Sequence, residues 1–387
     1  MRIFVIWLQA KQKYNVPGYE FWETYWKNGL TEAGHEWLEA PDVDWVEGLT
    51  YQDENLQKWR EDAWSKTLDT IRAEHAKQPI DICLSYLFPS QIMTDAVGVV
   101  QDLGIPCVNF FCDNFREYRN VPPEFYCFNL HWGPEVEAVE RYKSVGLKYI
   151  FAPYPIWIPQ DQRTCIHPEN YGVSFIGSRD IHRTNLLAEA IKLGVSLEIR
   201  GSGWEIQGKN TTESIQVNET QKVNVLQKAI NQLDLIAKEG IESLLWKLTY
   251  AIQPKISDQI FYPYTKNRPD AKDYVLITQQ SKIVLGINRY PSIRHPFWNP
   301  PTFIRLRDLE APAMGACYLT EYSSGLEQWF ELGKDIETYR TAEEMVEKIK
   351  ELDNNPQKRQ RMKCAAQQRV FGELMLDKTL STINAAL

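Results

Sequence analysis

The chain has 387 residues, a net charge of −8, 43% hydrophobic residues and 24% charged residues. That length supports two domains with separate cores, and the balance is that of an ordinary soluble protein. The acidic surplus argues against a general affinity for nucleic acid backbones, and no apolar run approaches the length of a membrane span.

Ile3–Leu8 is apolar and stops at Gln9 without a cleavage-site pattern, so it reads as a first strand rather than a signal peptide. Tyr19–Ala33 reads as a helix closed by Gly34, and His35-Glu36-Trp37 enters a second strand. Asp53–Ala76 is a long helix, Ile80–Leu84 a strand, Gln91–Leu103 a helix and Pro106–Phe111 a strand. Glu135–Val145 is a helix and Lys148–Phe151 a short strand. Repeated strand–helix units imply a parallel sheet covered on both faces. They define a first domain over residues 1–155.

Pro153, Pro155, Pro159 and Pro168 mark a stiff linker, placed at 156–170. A second domain over 171–370 restarts the alternation: strand Val173–Ile176, helix Ile181–Leu193, strand Ser196–Arg200, strand Lys282–Ile287 and helix Phe303–Met314. Strand Cys317–Leu319, helix Gly325–Glu331, strand Asp335–Thr338 and helix Ala342–Leu352 follow. From Pro356 the chain reads as helical to near its end. Between them, residues 205–273 break the alternation. Leu226, Ile230, Leu233, Ala237, Ile241, Leu245 and Leu248 share one helical face, which predicts a helical insertion. That face either packs on its own domain or serves a protein partner or a second copy.

The seven cysteines form no C-x-x-C pair, and an odd count without paired spacing suits a reducing compartment; the expected location is the cytoplasm. The six histidines include no His-x-x-x-His, so no metal site is expected. Neither a Walker loop nor an intact Gly-x-Gly-x-x-Gly is present, which weakens ATPase and dehydrogenase readings.

Arg305 to Glu327 is the most informative stretch. It reads as a helix bearing Glu310, then a buried strand, then Gly325 opening another helix. A helix N-terminus offers N–H groups and a positive dipole end to phosphate, and a carboxylate can accept two hydrogen bonds from a ribose diol. Together they suit a nucleotide. Gly177-Ser178 and Gly201-Ser202-Gly203 are strand-end turns of the kind a phosphate approaches. Arg183, in the first turn of the following helix, is either a diphosphate contact or a surface arginine. Arg307 either pairs with Glu310 one turn away or grips phosphate with its guanidinium fork.

Two segments, Arg307 to Gly315 (Arg-x-x-Glu-Ala-x-Ala-x-Gly) and Thr320 to Glu327 (Thr-Glu-Tyr-x-x-Gly-Leu-Glu), resemble the donor-binding motif of CgeB-like, spore-maturation type glycosyltransferases of the GT-B fold. Phe175 to Ser178, Arg183 and Ile199 to Trp204 resemble the start of the same domain. The resemblance implies two Rossmann-like α/β domains facing a cleft, with residues 371–387 as a helix crossing back to the first. It implies a nucleotide-sugar donor on the second domain, held by Glu310, Arg307, Gly177, Ser178, Arg183, Gly201, Ser202 and Gly325, and an acceptor hydroxyl on the first. No cofactor is implied beyond the donor. In larger retaining relatives Glu310 would be the second glutamate of a Glu-x7-Glu motif, but the first position here is Thr302.

For the general base the candidates are Asp113, after the strand ending at Phe111, and His131 between Leu130 and Trp132. The alternatives are a turn cap for Asp113 and a core histidine for His131. Trp22 and Trp26 follow the first strand and are either sugar-stacking or core residues. The expected activity is metal-independent transfer of a sugar to an acceptor hydroxyl. The alternatives are a nucleotide-sugar epimerase on the same fold and a non-catalytic sugar-nucleotide-binding or scaffold protein.

Overall fold

The computed structural model describes residues 1–14, 16, 18–112, 118, 120–204, 256–292 and 299–387. The chain divides into two compact units: Met1–Gln162 with Arg369–Leu387, and Arg163–Gln368. Each is built on one parallel sheet with helices, the α/β class that the alternation predicts.

In the first unit the strands are β1 (Arg2–Ile6), β2 (Glu36–Leu38), β3 (Ile82–Ser85), β4 (Cys107–Phe110), β5 (Leu130–Gly133) and β6 (Tyr149–Phe151), and their order is β2-β1-β3-β4-β5-β6. β1, β3, β4 and β5 are buried along their whole length, as expected where helices cover both faces. The covering helices are α1 (Tyr19–Glu32), α2 (Asp53–Lys77), α3 (Thr94–Asp102) and α4 (Val136–Ser144). Trp22 and Trp26 lie buried on α1, each edge-to-face with Phe110 at 5.7 Å. They are therefore packing residues of this core.

In the second unit the strands are β7 (Tyr171–Ile176), β8 (Glu198–Arg200), β9 (Ser281–Gly286), β10 (Tyr318–Glu321) and β11 (Glu337–Tyr339), ordered β11-β10-β9-β7-β8. Its helices are α5 (Ile181–Lys192), α6 (Ala271–Gln280), α7 (Arg307–Ala313), α8 (Leu326–Trp329), α9 (Ala342–Asp353) and most of α10 (Pro356–Glu373). Side-chain caps start three of them: Asp180 on α5, Asp270 on α6 and Thr341 on α9. α11 (Leu376–Ala386) groups with the first unit, where Leu376 lies against Gly29 of α1.

In the first unit α3 starts at Thr94 rather than Gln91, and two helices of the second unit are also shorter than their sequence suggests. α7 starts at Arg307, not Phe303, because Thr302 bridges Arg289 in antiparallel fashion and the Phe303 N–H donates to the Asn288 carbonyl at 3.1 Å. α8 is a single turn. The insertion 205–273 lies outside the described residues up to 255. The rest of the insertion, from Ile256, is described: Phe261 is buried against Trp204 with ring centroids 5.2 Å apart, and Thr265 bridges Ile199.

A disulfide joins Cys165 to Cys364 across 199 residues. Spacing along the chain cannot reveal such a pair. Cys83, Cys107, Cys112, Cys127 and Cys317 are not disulfide-bonded. No helix among the described residues is long and apolar enough to cross a membrane.

Candidate functional site

The carboxyl ends of β7 and β8 carry the two glycine turns. The Gly177 N–H donates to the Arg200 carbonyl at 2.9 Å, and the Arg179 N–H to the Ser202 carbonyl at 2.8 Å. These contacts zip the turns together. They also commit the Gly177 amide to the sheet, which takes it away from the phosphate role that its sequence position suggests. The Gly177 carbonyl accepts from Trp204 Nε1 at 2.9 Å.

Beside the turns lies a cavity of about 290 Å³ lined by Gly177, Ser178, Gly201, Ser202, Arg268 and Tyr274, among others. Four residues singled out in the sequence therefore meet around one space. Such a crevice at strand carboxyl ends is where open α/β sheets take ligands.

Behind Tyr274 stands the motif helix. The Tyr274 hydroxyl donates to Glu310 Oε2 at 2.5 Å, and the Arg307 guanidinium lies over the Tyr274 ring, 5.0 Å from its centroid. Burial raises the pKa of Tyr274 far above 10, so its hydroxyl keeps its proton and remains the donor. Arg307 Nη1 is buried and has no hydrogen-bond partner among the described residues.

Arginines crowd this end of the unit. Arg183 Nη1 donates to the Ser178 carbonyl at 2.9 Å and to Ser178 Oγ at 3.0 Å, bracing that turn. Burial, and next the nearby Arg305 charge, lower its pKa to about 10. Arg305 Nη2 donates to the Arg289 carbonyl at 2.8 Å, while Arg289 Nε pairs with Glu321 Oε1 at 2.7 Å. Positive groups held this close, one of them paired with Glu321, form an arginine-rich surface suited to an anion.

Asp308, which the motif reading passed over, anchors the helix start. Its buried carboxylate accepts from the Arg305 N–H at 2.7 Å, Thr320 Oγ1 at 2.8 Å, Tyr318 OH at 2.9 Å and Asn288 Nδ2 at 3.0 Å. Thus α7, β10 and the loop after β9 are tied at one point, and Arg307 and Glu310 project from a fixed helix. A carboxylate flanked by arginine and apolar residues was the available signal in the sequence. Its side-chain donors, 10 to 20 residues away, left no local pattern.

Gly325 stands apart from this group. It adopts φ 99°, and its N–H donates to Glu327 Oε2 at 3.2 Å. One helical turn aligns few peptide dipoles, so the phosphate role read for it loses its physical basis.

In the first unit, Asp113 lies outside the described residues. His131 is wholly buried on β5, stacked on Tyr142 with centroids 4.6 Å apart. Burial pushes its pKa down to about 4, with the Phe125 backbone pulling weakly the other way. A general base must reach its acceptor, and this ring does not reach solvent.

Residues 254–385 match a family described as glycosyl transferase-like, and this match covers the motif helix, Tyr274 and the arginines that follow. Solved structures align along nearly the whole chain. A glycosyltransferase from Rickettsia africae has 11% identity and a TM-score of 0.56, covering 100% of this chain and 97% of its own. HepE from Anabaena in complex with UDP-glucose has 10% identity and a TM-score of 0.52, covering 100% of both chains. The sucrose-phosphate synthase from Thermosynechococcus elongatus has 11% identity and a TM-score of 0.52, covering 99% of this chain and 98% of its own. The fold is GT-B. No curated protein matches the chain in sequence. Within this GT-B chain, the paired glycine turns, the cavity and the Tyr274–Glu310 contact all belong to the second unit.

Proposed function

We propose that the chain is a glycosyltransferase of the hexosyl-transferring kind, related to the CgeB-like group. It takes a nucleotide-diphosphate sugar on its second unit and passes the sugar to an acceptor hydroxyl. The observation that carries this reading is the cavity itself: Gly177, Ser178, Gly201 and Ser202 line one side, and Tyr274, hydrogen-bonded to Glu310, lines another. Glu310 receives the ribose. Arg307, with its buried unpartnered Nη1, and Arg183 supply positive charge to the diphosphate. The match of residues 254–385 to a glycosyl transferase-like family supports the same assignment.

As the bond to the sugar breaks, negative charge grows on the leaving diphosphate. Fixed guanidinium groups placed in advance stabilise that charge without reorganising. The reaction is therefore metal-independent, with the arginine cluster in the role a divalent ion takes elsewhere. The test is a screen of nucleotide sugars for donor hydrolysis and transfer, run in excess chelator. Turnover that persists with chelator is expected. Activity that vanishes with chelator and returns with manganese or magnesium would refute the metal-independent step, and no turnover with any donor would refute the enzyme reading.

A further inference from the structure

Arg307 and Glu310 sit one turn apart on the same face of α7, where opposite charges ordinarily pair. Such a pair would tie up the carboxylate that has to meet the ribose. Tyr274, from a different helix, is placed between these two groups. Its ring takes the guanidinium on one face at 5.0 Å, and its hydroxyl takes Glu310 Oε2 at 2.5 Å. The same side chain lines the cavity.

We propose that Tyr274 is the positioning residue for the ribose of the donor: its hydroxyl fixes the Glu310 carboxylate, and its ring keeps Arg307 from closing on that carboxylate. This inference rests on the nucleotide-sugar reading above. Two consequences follow from the geometry. A Tyr O–H···O⁻ bond is short and charge-assisted, so it orients the acceptor strongly. A carboxylate offers about four lone-pair sites, so one bond from the tyrosine does not by itself exhaust its capacity to accept from a ribose hydroxyl. The guanidinium, meanwhile, is held against the ring face, with Nη1 buried and unpartnered among the described residues. Tyr274 thus divides the work, with the diol for Glu310 and phosphate for Arg307.

The test uses the full chain and a panel of nucleoside diphosphates, their 2′-deoxy and 3′-deoxy counterparts, and inorganic pyrophosphate. Tyr274→Phe keeps the ring over Arg307 and removes only the hydroxyl. Its ribose preference, the affinity ratio of ribo to deoxy ligand, should shrink about tenfold, while pyrophosphate affinity stays as in the native chain. Tyr274→Ala should lose pyrophosphate affinity as well, because Arg307 is then free to close on Glu310. In the Tyr274→Phe, Glu310→Gln double variant, the phenylalanine should cost no further ribose preference. If Tyr274→Phe retains the native ribose preference while Glu310→Gln loses it, the tyrosine inference fails and the donor reading stands. If the native chain binds no nucleoside diphosphate, both fail.

Discussion

Gly201 packs directly on Gly177: a β-carbon built at 201 would stand 2.3 Å from the Gly177 carbonyl oxygen, and Gly201 itself has φ 130°. Both constraints demand glycine, since the obstruction is backbone and the dihedral is one that other residues avoid. Gly201→Ala should push the two turns apart, costing about 1–3 kcal/mol through overpacking and strain. Titration with the best-binding nucleoside diphosphate should show at least a tenfold loss, and calorimetry a lowered melting temperature. Native values for both would mean that the turns are not rigidly coupled.

Asp308 accepts hydrogen bonds from four different residues in a site shut off from water. Asp308→Ala would leave those donors unpaired, at a cost of about 3 kcal/mol or more. Thermal unfolding of the full chain should report a lower transition for the second unit. An unchanged melting profile would contradict the anchoring role.

The Cys165–Cys364 bond closes 199 residues, and chain entropy alone sets a stabilisation of about 5 kcal/mol for a loop of that length. Nearby, Gly315 leaves only enough room for the Thr164 carbonyl, at 2.4 Å from a notional β-carbon, so the disulfide pins a strap against the end of the motif helix. Thiol titration of the denatured, unreduced protein should find Cys83, Cys107, Cys112, Cys127 and Cys317 only, and reductant should lower the melting temperature. A Cys165→Ser, Cys364→Ser variant should melt at one temperature with or without reductant. Seven reactive thiols before reduction would contradict the bond.

His131 gives the stability a pH dependence of known sign. Its folded pKa of about 4 lies below the unfolded value of 6.5, so the unfolded chain binds the extra proton between those limits. The stability from keeping the ring neutral is full above pH 6.5 and is lost as pH falls toward 4, about 3 kcal/mol in all. His131→Phe preserves the stack on Tyr142 and removes the titration. The native and variant stability curves should diverge below pH 6.5, with the variant flatter. Parallel curves would show that His131 titrates normally.

The sequence made the parallel α/β sheets legible because buried strands and capped helices alternate within short windows. The motif helix and both glycine turns were legible for the same reason: each is a local pattern. What joins them was not. Tyr274 meets Glu310 from 36 residues away, and Asp308 collects side-chain partners from β10 and the loop after β9. A hydrogen bond between distant segments leaves no periodicity. Phe303 looked helical by composition, yet Asn288 drew its N–H into a strand-like pairing, because tertiary partners outweigh weak helix propensity. His131 shows the converse. A histidine flanked by apolar residues could be read as a base or as core, and only its enclosure by Tyr142 and Phe125 decides between a reachable ring and a buried one.

The central claim is that Glu310 reads the ribose of a nucleotide donor, and calorimetric titration of the native chain and Glu310→Gln with a nucleoside diphosphate tests it most directly. Hydrogen bonds to a charged group are worth roughly 1.5–3 kcal/mol each. The variant should therefore bind about tenfold to several hundred-fold more weakly while remaining folded, since each 1.4 kcal/mol is roughly tenfold. The 2′-deoxy ligand should bind the native chain less well and lose little more in the variant. Equal affinity of native and variant proteins for the ribonucleotide would contradict the account.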